Sequence, residues 1–197
     1  MTPRMRDGEI RAAALSRLFA HALTCPDTLV VEELGLAHGA SRVDIAVING
    51  HIRGVEIKAE ADTLVRLPAQ VAAYGAVVDR ATLIVAERHL ASSLELVGSW
   101  WGILMAQRAA NGAVTFRRVR GERANPQVDP AAQASLLWRP EAIAILSELG
   151  CESRLLKAPR AALYAELARR LPRQRLATEV RRRLKARTAW RDQPRPL

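Results

Sequence analysis

Arg42-Val43-Asp44-Ile45-Ala46-Val47-Ile48, then Asn49-Gly50, then His51-Ile52-Arg53-Gly54-Val55-Glu56-Ile57-Lys58, is the stretch whose reading decides the fold. Each flank alternates apolar and polar residues at a period of two, the signature of a half-buried strand. Asn-Gly between them marks a hairpin turn. A two-residue loop would set Ile48 opposite His51. Asp44 and Glu56 would then lie on opposite faces, and the acids would mix with the apolar stripe. An odd-length loop removes both faults, for instance a type I turn over Ile48-Asn49 with Gly50 in a left-handed bulge. Val43, Ile45, Val47, Val55 and Ile57 then form one apolar face. Asp44, Ala46, Ile52, Gly54, Glu56 and Lys58 form the other, so two carboxylates and an ammonium are expected together on the open face of the sheet.

Two carboxylates make a hard oxygen site suited to Mg²⁺ or Mn²⁺. A lysine beside them can orient a water and stabilise charge on a phosphate. The same letters also describe an Asp–Lys–Glu salt cluster on an exposed sheet.

Working outward, residues 5–23 carry Ile10, Ala14, Leu15, Leu18, Phe19 and Ala22 at helical spacing, and Cys25-Pro26-Asp27 ends the run. Residues 29–34 read as a first strand. A second helix starts near Pro68 and runs to about Asp79, followed by a short apolar strand, Ala81 to Ala86, and a short helix over 89–97. A last hairpin turns at Asn111-Gly112. The stretch Gly121 to Pro130 carries turn formers and reads as a linker. Helices follow at about 132–149, 159–171 and 174–188. The expected organisation is a core over 1–122, a linker over 123–131 and a helical region over 132–197.

The chain has 197 residues, with 49% hydrophobic and 25% charged. A buried core is therefore expected and wholesale disorder excluded. No apolar run reaches the ~20 residues of a membrane helix. The first residues meet charges at once, and the two cysteines, Cys25 and Cys151, lie far apart, so a reduced, cytoplasmic protein is expected. The four histidines form no metal-ligand spacing, and no phosphate-binding glycine loop occurs. Trp100 and Trp101 open an apolar strand and read as core.

Net charge is +10. Residues 151–197 hold 14 basic and 4 acidic residues, so the excess lies there, while 1–150 balance. A stripe of Leu171, Leu176, Val180 and Leu184 is surrounded by Arg173, Arg175, Arg181, Arg182, Arg183, Lys185 and Arg187. A buried stripe in a basic coat suits contacts to phosphates.

The order helix, three-stranded meander, helix, strand, with Asp44 on the second strand and Glu56-Ile57-Lys58 on the third, resembles the PD-(D/E)XK nuclease superfamily. Val43 stands where that motif has its proline. Gln70-Val71-Ala72-Ala73-Tyr74 resembles the Q-x-x-x-Y element of RecB-like exonuclease domains, and Arg66 lies one turn before it. More narrowly, Val31-Glu32-Glu33-Leu34-Gly35, Arg42-Val43-Asp44 and the Asp62 to Gln70 stretch resemble a small, little-characterised bacterial group of such proteins. The resemblance implies an α/β restriction-endonuclease-like core (α-β-β-β-α-β, a mixed sheet flanked by helices) with the basic helical region appended. It further implies a Mg²⁺-dependent deoxyribonuclease: Asp44 and Glu56 holding the metal, with Glu33 and Asp7 as further candidate ligands, Lys58 assisting the water, and Arg11, Arg66, Gln70 and Tyr74 supporting the site or holding substrate. Superfamily members place another acid on the first helix. Asp7 lies on the inward side there, one turn from Arg11, with an N-cap for that helix as the equal alternative, and Glu33 is preferred over Glu32 as a cleft-facing acid. DNA is the expected partner, with RNA the alternative. A non-catalytic DNA-binding module on the same fold, or a basic RNA- or membrane-associated adaptor, stands as the alternative function.

Overall fold

The structure is a computed structural model that describes residues 4–187. A mixed sheet of six strands runs in sequence order, β1 (Leu29–Leu36), β2 (Ser41–Ile48), β3 (Ile52–Lys58), β4 (Arg80–Ala86), β5 (Gly102–Arg108) and β6 (Val114–Arg120). β1, β2 and β3 form an antiparallel meander, β3, β4 and β5 are parallel, and β6 returns antiparallel. The two parallel steps carry helical crossovers, α3 (Leu67–Val77) and α4 (Leu90–Leu96). The chain is thus of the α/β class, with helices on both faces of the sheet. Among the described residues no helix is long and apolar enough to cross a membrane.

One face is covered by the N-terminal segment, where Met5, Ile10, Ala14 and Phe19 pack on Ile45, Val47, Val55, Ile57 and Ile84. The single helix expected over 5–23 is instead α1 (Asp7–Ala13), a π turn (Ala14–Leu18) and α2 (Ala20–Thr24). The Phe19 N–H donates to Ala14 O, and this wide turn inserts one residue. Phe19 therefore enters the core, and Leu18, assigned to the stripe by regular spacing, is left exposed.

The other face carries α3 and the C-terminal helices α5 (Pro130–Ala134), α6 (Arg139–Glu148), α7 (Ser153–Leu156), α8 (Arg160–Arg170) and α9 (Arg173–Ala186). Leu163, Leu167, Leu176, Val180 and Leu184 belong to one hydrophobic cluster with Val31, Ala46, Leu83 and Trp101. The stretch read as a linker is strapped to the end of α3: Asn125 Nδ2 donates to Gly75 O and Val78 O at 2.8 and 2.7 Å, and the Asp129 N–H to Ala76 O. Asn125 thereby satisfies carbonyls that a helix end leaves orphaned. Residues 188–197, the last of the expected helical region, lie outside the described residues.

The central hairpin has the odd register. Ile48 pairs with Ile52 and Ala46 with Gly54 across a three-residue loop, Asn49-Gly50-His51. Gly50 is not left-handed, since the positive-φ glycines are Gly39, Gly112 and Gly150. Two expectations are corrected. Val43 packs with Val31, Leu34 and Ala46, apart from Ile45 and Val47. The face bearing Glu56 and Lys58 is also closed, because α3 lies over it and leaves Glu56 1% and Lys58 4% exposed. The first departure has a local cause. Glu33 takes φ +59°, and Glu33 and Asp44 drop out of an otherwise regular β1–β2 ladder. Alternation breaks there, which puts Val31 and Leu34 on the same side and Val43 with Ala46.

Candidate functional site

β2 and β3 pair only as far as Ile45 and Val55, and beyond that point β3 keeps β4 alone. A cleft of about 810 Å³ opens where they part, lined by Asp7, Arg11, Glu33, Arg42, Asp44, Glu56, Lys58, Asp62, Arg66 and Gln70 among others. Divergence would leave the Ile57 N–H without its ladder acceptor, and Asp44 Oδ2 takes it at 2.7 Å. Asp44 is held there because its own strand is kinked at that residue.

Glu56 is enclosed by donors. Lys58 Nζ and Gln70 Nε2 donate to Oε1 at 2.6 and 2.5 Å, and the Tyr74 hydroxyl donates to Oε2 at 2.7 Å. Lys58 Nζ also reaches Gln70 Oε1 at 2.9 Å. Gln70 and Tyr74 share a face of α3, as four-residue spacing requires. Gly54 makes room for the Tyr74 ring: a Cβ there would sit 2.8 Å from Tyr74 Cε1. Burial, and then the Glu56 charge, push the Tyr74 phenol well above its usual range, so it remains a donor.

Arg11 stands at the centre of the other acids. Its guanidinium bonds Asp44 Oδ1 at 3.1 Å and Asp44 O at 2.7 Å, Asp7 Oδ1 at 3.2 Å, and pairs with Glu33 at 3.2 Å and Glu32 at 3.9 Å. Burial pulls the Arg11 pKa down, but Asp44 and Asp7 outweigh it and the net shift is upward. Asp44 itself is raised to about 6, first by burial and then by the Glu56 charge, against the opposing Ile57 N–H and Arg11.

The structure thus brings Asp7, Arg11, Glu33, Asp44, Glu56, Lys58 and Gln70 to one cleft with Arg66 on its wall, and Tyr74 bonds Glu56 from beneath. Asp62 caps the Ala59 N–H at 2.7 Å as a turn residue. Sequence reasoning missed Arg42, which pairs with Glu33 at 3.1 Å, although strand alternation already set it beside Asp44. It also missed that Arg11 would be the principal counterion of Asp44. Among the described residues, no group of three or more His, Cys, Asp or Glu side chains converges as metal ligands would. All four oxygens of Asp44 and Glu56 already accept hydrogen bonds from the chain.

The basic residues of α9 divide by direction. Arg181 faces Asp79 at 3.9 Å and Arg183 pairs with Glu148 at 2.9 Å. Arg187 pairs with Glu141 at 2.6 Å and lies 4.0 Å over the Trp138 ring, its side chain 5% exposed. Those three fasten the helix inward. Arg173, Arg175, Arg182 and Lys185 are exposed, with Arg182 alone of them paired to a carboxylate, Glu179, at 2.6 Å.

The family described as Bacteriophage P4 protein cII matches residues 2–193. A curated relative, Protein cII of Enterobacteria phage P4, is 23% identical over 150 residues, which is 76% of this chain and 56% of the relative. The chain therefore spans about half the length of that relative. No solved structure matches the chain. These matches correct the nuclease resemblance. Membership of the PD-(D/E)XK superfamily, its small bacterial group and the Mg²⁺-dependent hydrolysis of DNA are all overturned, because the match that runs along the chain is to cII. The letters misled for a physical reason. The D…E-x-K spacing is also what a buried strand-end network demands, with an acid to cap a freed amide and a second acid neutralised by the lysine two residues on.

Proposed function

The chain belongs to the Bacteriophage P4 protein cII family, and from that premise we propose that it is a non-enzymatic protein that binds duplex DNA through the phosphate backbone. The observation that carries this reading is a set of uncompensated charges. Arg154, Lys157, Arg160, Arg173, Arg175 and Lys185 are exposed and pair with no carboxylate among the described residues. On α9 they stand outside a buried stripe of Leu176, Ala177, Val180 and Leu184. Such contacts give affinity and orientation without reading sequence. We read the α-β-β-β-α-β order over residues 7–86 as a restriction-endonuclease-like core that serves as scaffold. A Mg²⁺ or Mn²⁺ ion would have to displace Arg11 from Asp44, and Lys58, Gln70 or Tyr74 from Glu56. The cleft is therefore a clasp that ties α1 to β2 and β3.

The test is binding of a labelled duplex across a salt series, comparing wild type with an Arg173→Gln, Arg175→Gln, Lys185→Gln variant. Each phosphate contact contributes roughly −0.9 to the slope of log K against log salt, so the triple variant should flatten it by about 2.7. Wild type should leave linear and circular duplex intact with Mg²⁺ present. An unchanged slope in the variant, or cleavage by the wild type, would sink the proposal.

A further inference from the structure

A second concentration of uncompensated charge lies at the far edge of the sheet. Residues 108–123 hold five arginines and one acid, Glu122. Glu122 is turned away from them: it accepts from Arg53 at 2.6 Å and from Thr82 at 2.9 Å. Arg108 is paired with Glu9 at 2.9 Å. The remaining four, Arg117, Arg118, Arg120 and Arg123, meet no carboxylate among the described residues. Arg120 is held by carbonyls, donating to Trp101 O at 2.8 Å and Gly98 O at 2.9 Å, and Arg117 rests on Met105 Sδ.

β6 is the outermost strand and pairs with β5 alone. Its ladder is irregular, with Arg120 opposite Ile103 and Arg118 opposite Leu104, so Val119 is the extra residue. Arg117 and Arg118 leave on opposite faces and straddle the edge. Charged side chains can guard an edge strand against pairing. Four guanidiniums without a counterion, one of them fixed in place by two carbonyls, also gather positive charge there. Their crowding shows in Arg120, whose pKa is lowered by burial and then by the neighbouring Arg123 charge.

We propose that the β6 edge, through Arg117, Arg118, Arg120 and Arg123, is a second binding surface for nucleic-acid phosphates. The proposal rests on the DNA-binding reading above and extends it. α9 packs over β2 and β6 lies four strands away, roughly 19 Å at the usual strand spacing. The two basic surfaces are therefore separate, and either can be removed without touching the other.

The experiment compares full-length wild type, an Arg117→Gln, Arg118→Gln, Arg123→Gln variant and the corresponding triple Lys variant in the same duplex salt series. Arg120 is spared because its carbonyl bonds hold the β5–β6 end together. The Gln variant should flatten the slope by about 2.7 and weaken low-salt binding at least tenfold, and the Lys variant should retain most of both. If the Gln variant aggregates through its uncharged edge, Arg118→Gln and Arg123→Gln singly should each flatten the slope by about 0.9. An unchanged slope in the β6 variants, while the α9 variant flattens it, refutes this surface and leaves the DNA reading standing. If the α9 variant is also unchanged, the DNA reading falls and the β6 proposal with it.

Discussion

Replacing Asp44 by Asn should change how stability depends on pH. In the fold the Asp44 carboxyl is raised from 3.8 to about 6 by burial and by Glu56. A raised acid binds its proton more tightly when folded, so the native state carries more protons than the unfolded chain between those values, and stability falls as pH rises through the window. At ~1.4 kcal/mol per pKa unit, ionising Asp44 costs the wild type roughly 2 kcal/mol between about pH 4.5 and 7. Asn cannot ionise, and its side-chain oxygen can still accept the Ile57 N–H. Stability of the variant relative to wild type should therefore improve by roughly 2 kcal/mol across that interval. His51, lowered by burial and by Arg80 and Arg53, acts in the opposite direction over an overlapping range, but it is present in both proteins and cancels in the difference. Urea denaturation at several pH values in constant ionic strength gives the curve. A difference between variant and wild type that does not change with pH would show that Asp44 is not held buried beside the Glu56 charge, and the enclosed carboxyl pair would be wrong.

Gly54→Ala should destabilise the fold by about 1–3 kcal/mol, because the new methyl would sit 2.8 Å from the Tyr74 ring and push its hydroxyl off Glu56. Urea midpoints read this, and an unchanged midpoint would mean that the α3–β3 contact is slack. Adding Mg²⁺ should raise the melting temperature no more than NaCl of matched ionic strength, since Arg11 and Lys58 already neutralise the acids. A Mg²⁺-specific rise would show that a divalent ion displaces them.

The register of the central hairpin was legible because two separate demands selected it. Keeping Ile45, Val47, Val55 and Ile57 together and keeping Asp44 beside Glu56 both require an odd loop, and Ala46 faces Gly54 as that register requires. The break at Glu33 and Asp44 was not legible, since a positive φ at a glutamate is stabilised by contacts to Arg11 and Arg42 that come from other parts of the chain. Nor was the closing of the polar face. A strand reading Ile52, Gly54, Glu56, Lys58 looks solvent-facing until Tyr74 and Gln70 arrive from α3 with the hydrogen bonds that make burial tolerable. The chemistry failed at the same point. An acid, a second acid and a lysine specify only that charges must be satisfied near one another, and either an external metal or the chain's own cations can do it. Nothing within Asp44, Glu56 and Lys58 distinguishes the two. The chain's own cation beside Asp44 is Arg11, thirty-three positions away, whose guanidinium meets Asp7, Glu33 and Asp44 together. Charge asymmetry along the chain marked the basic C-terminal helices, but averaging over residues 1–150 hid the local excess on β6. That excess emerges once each arginine is set against the carboxylate it meets.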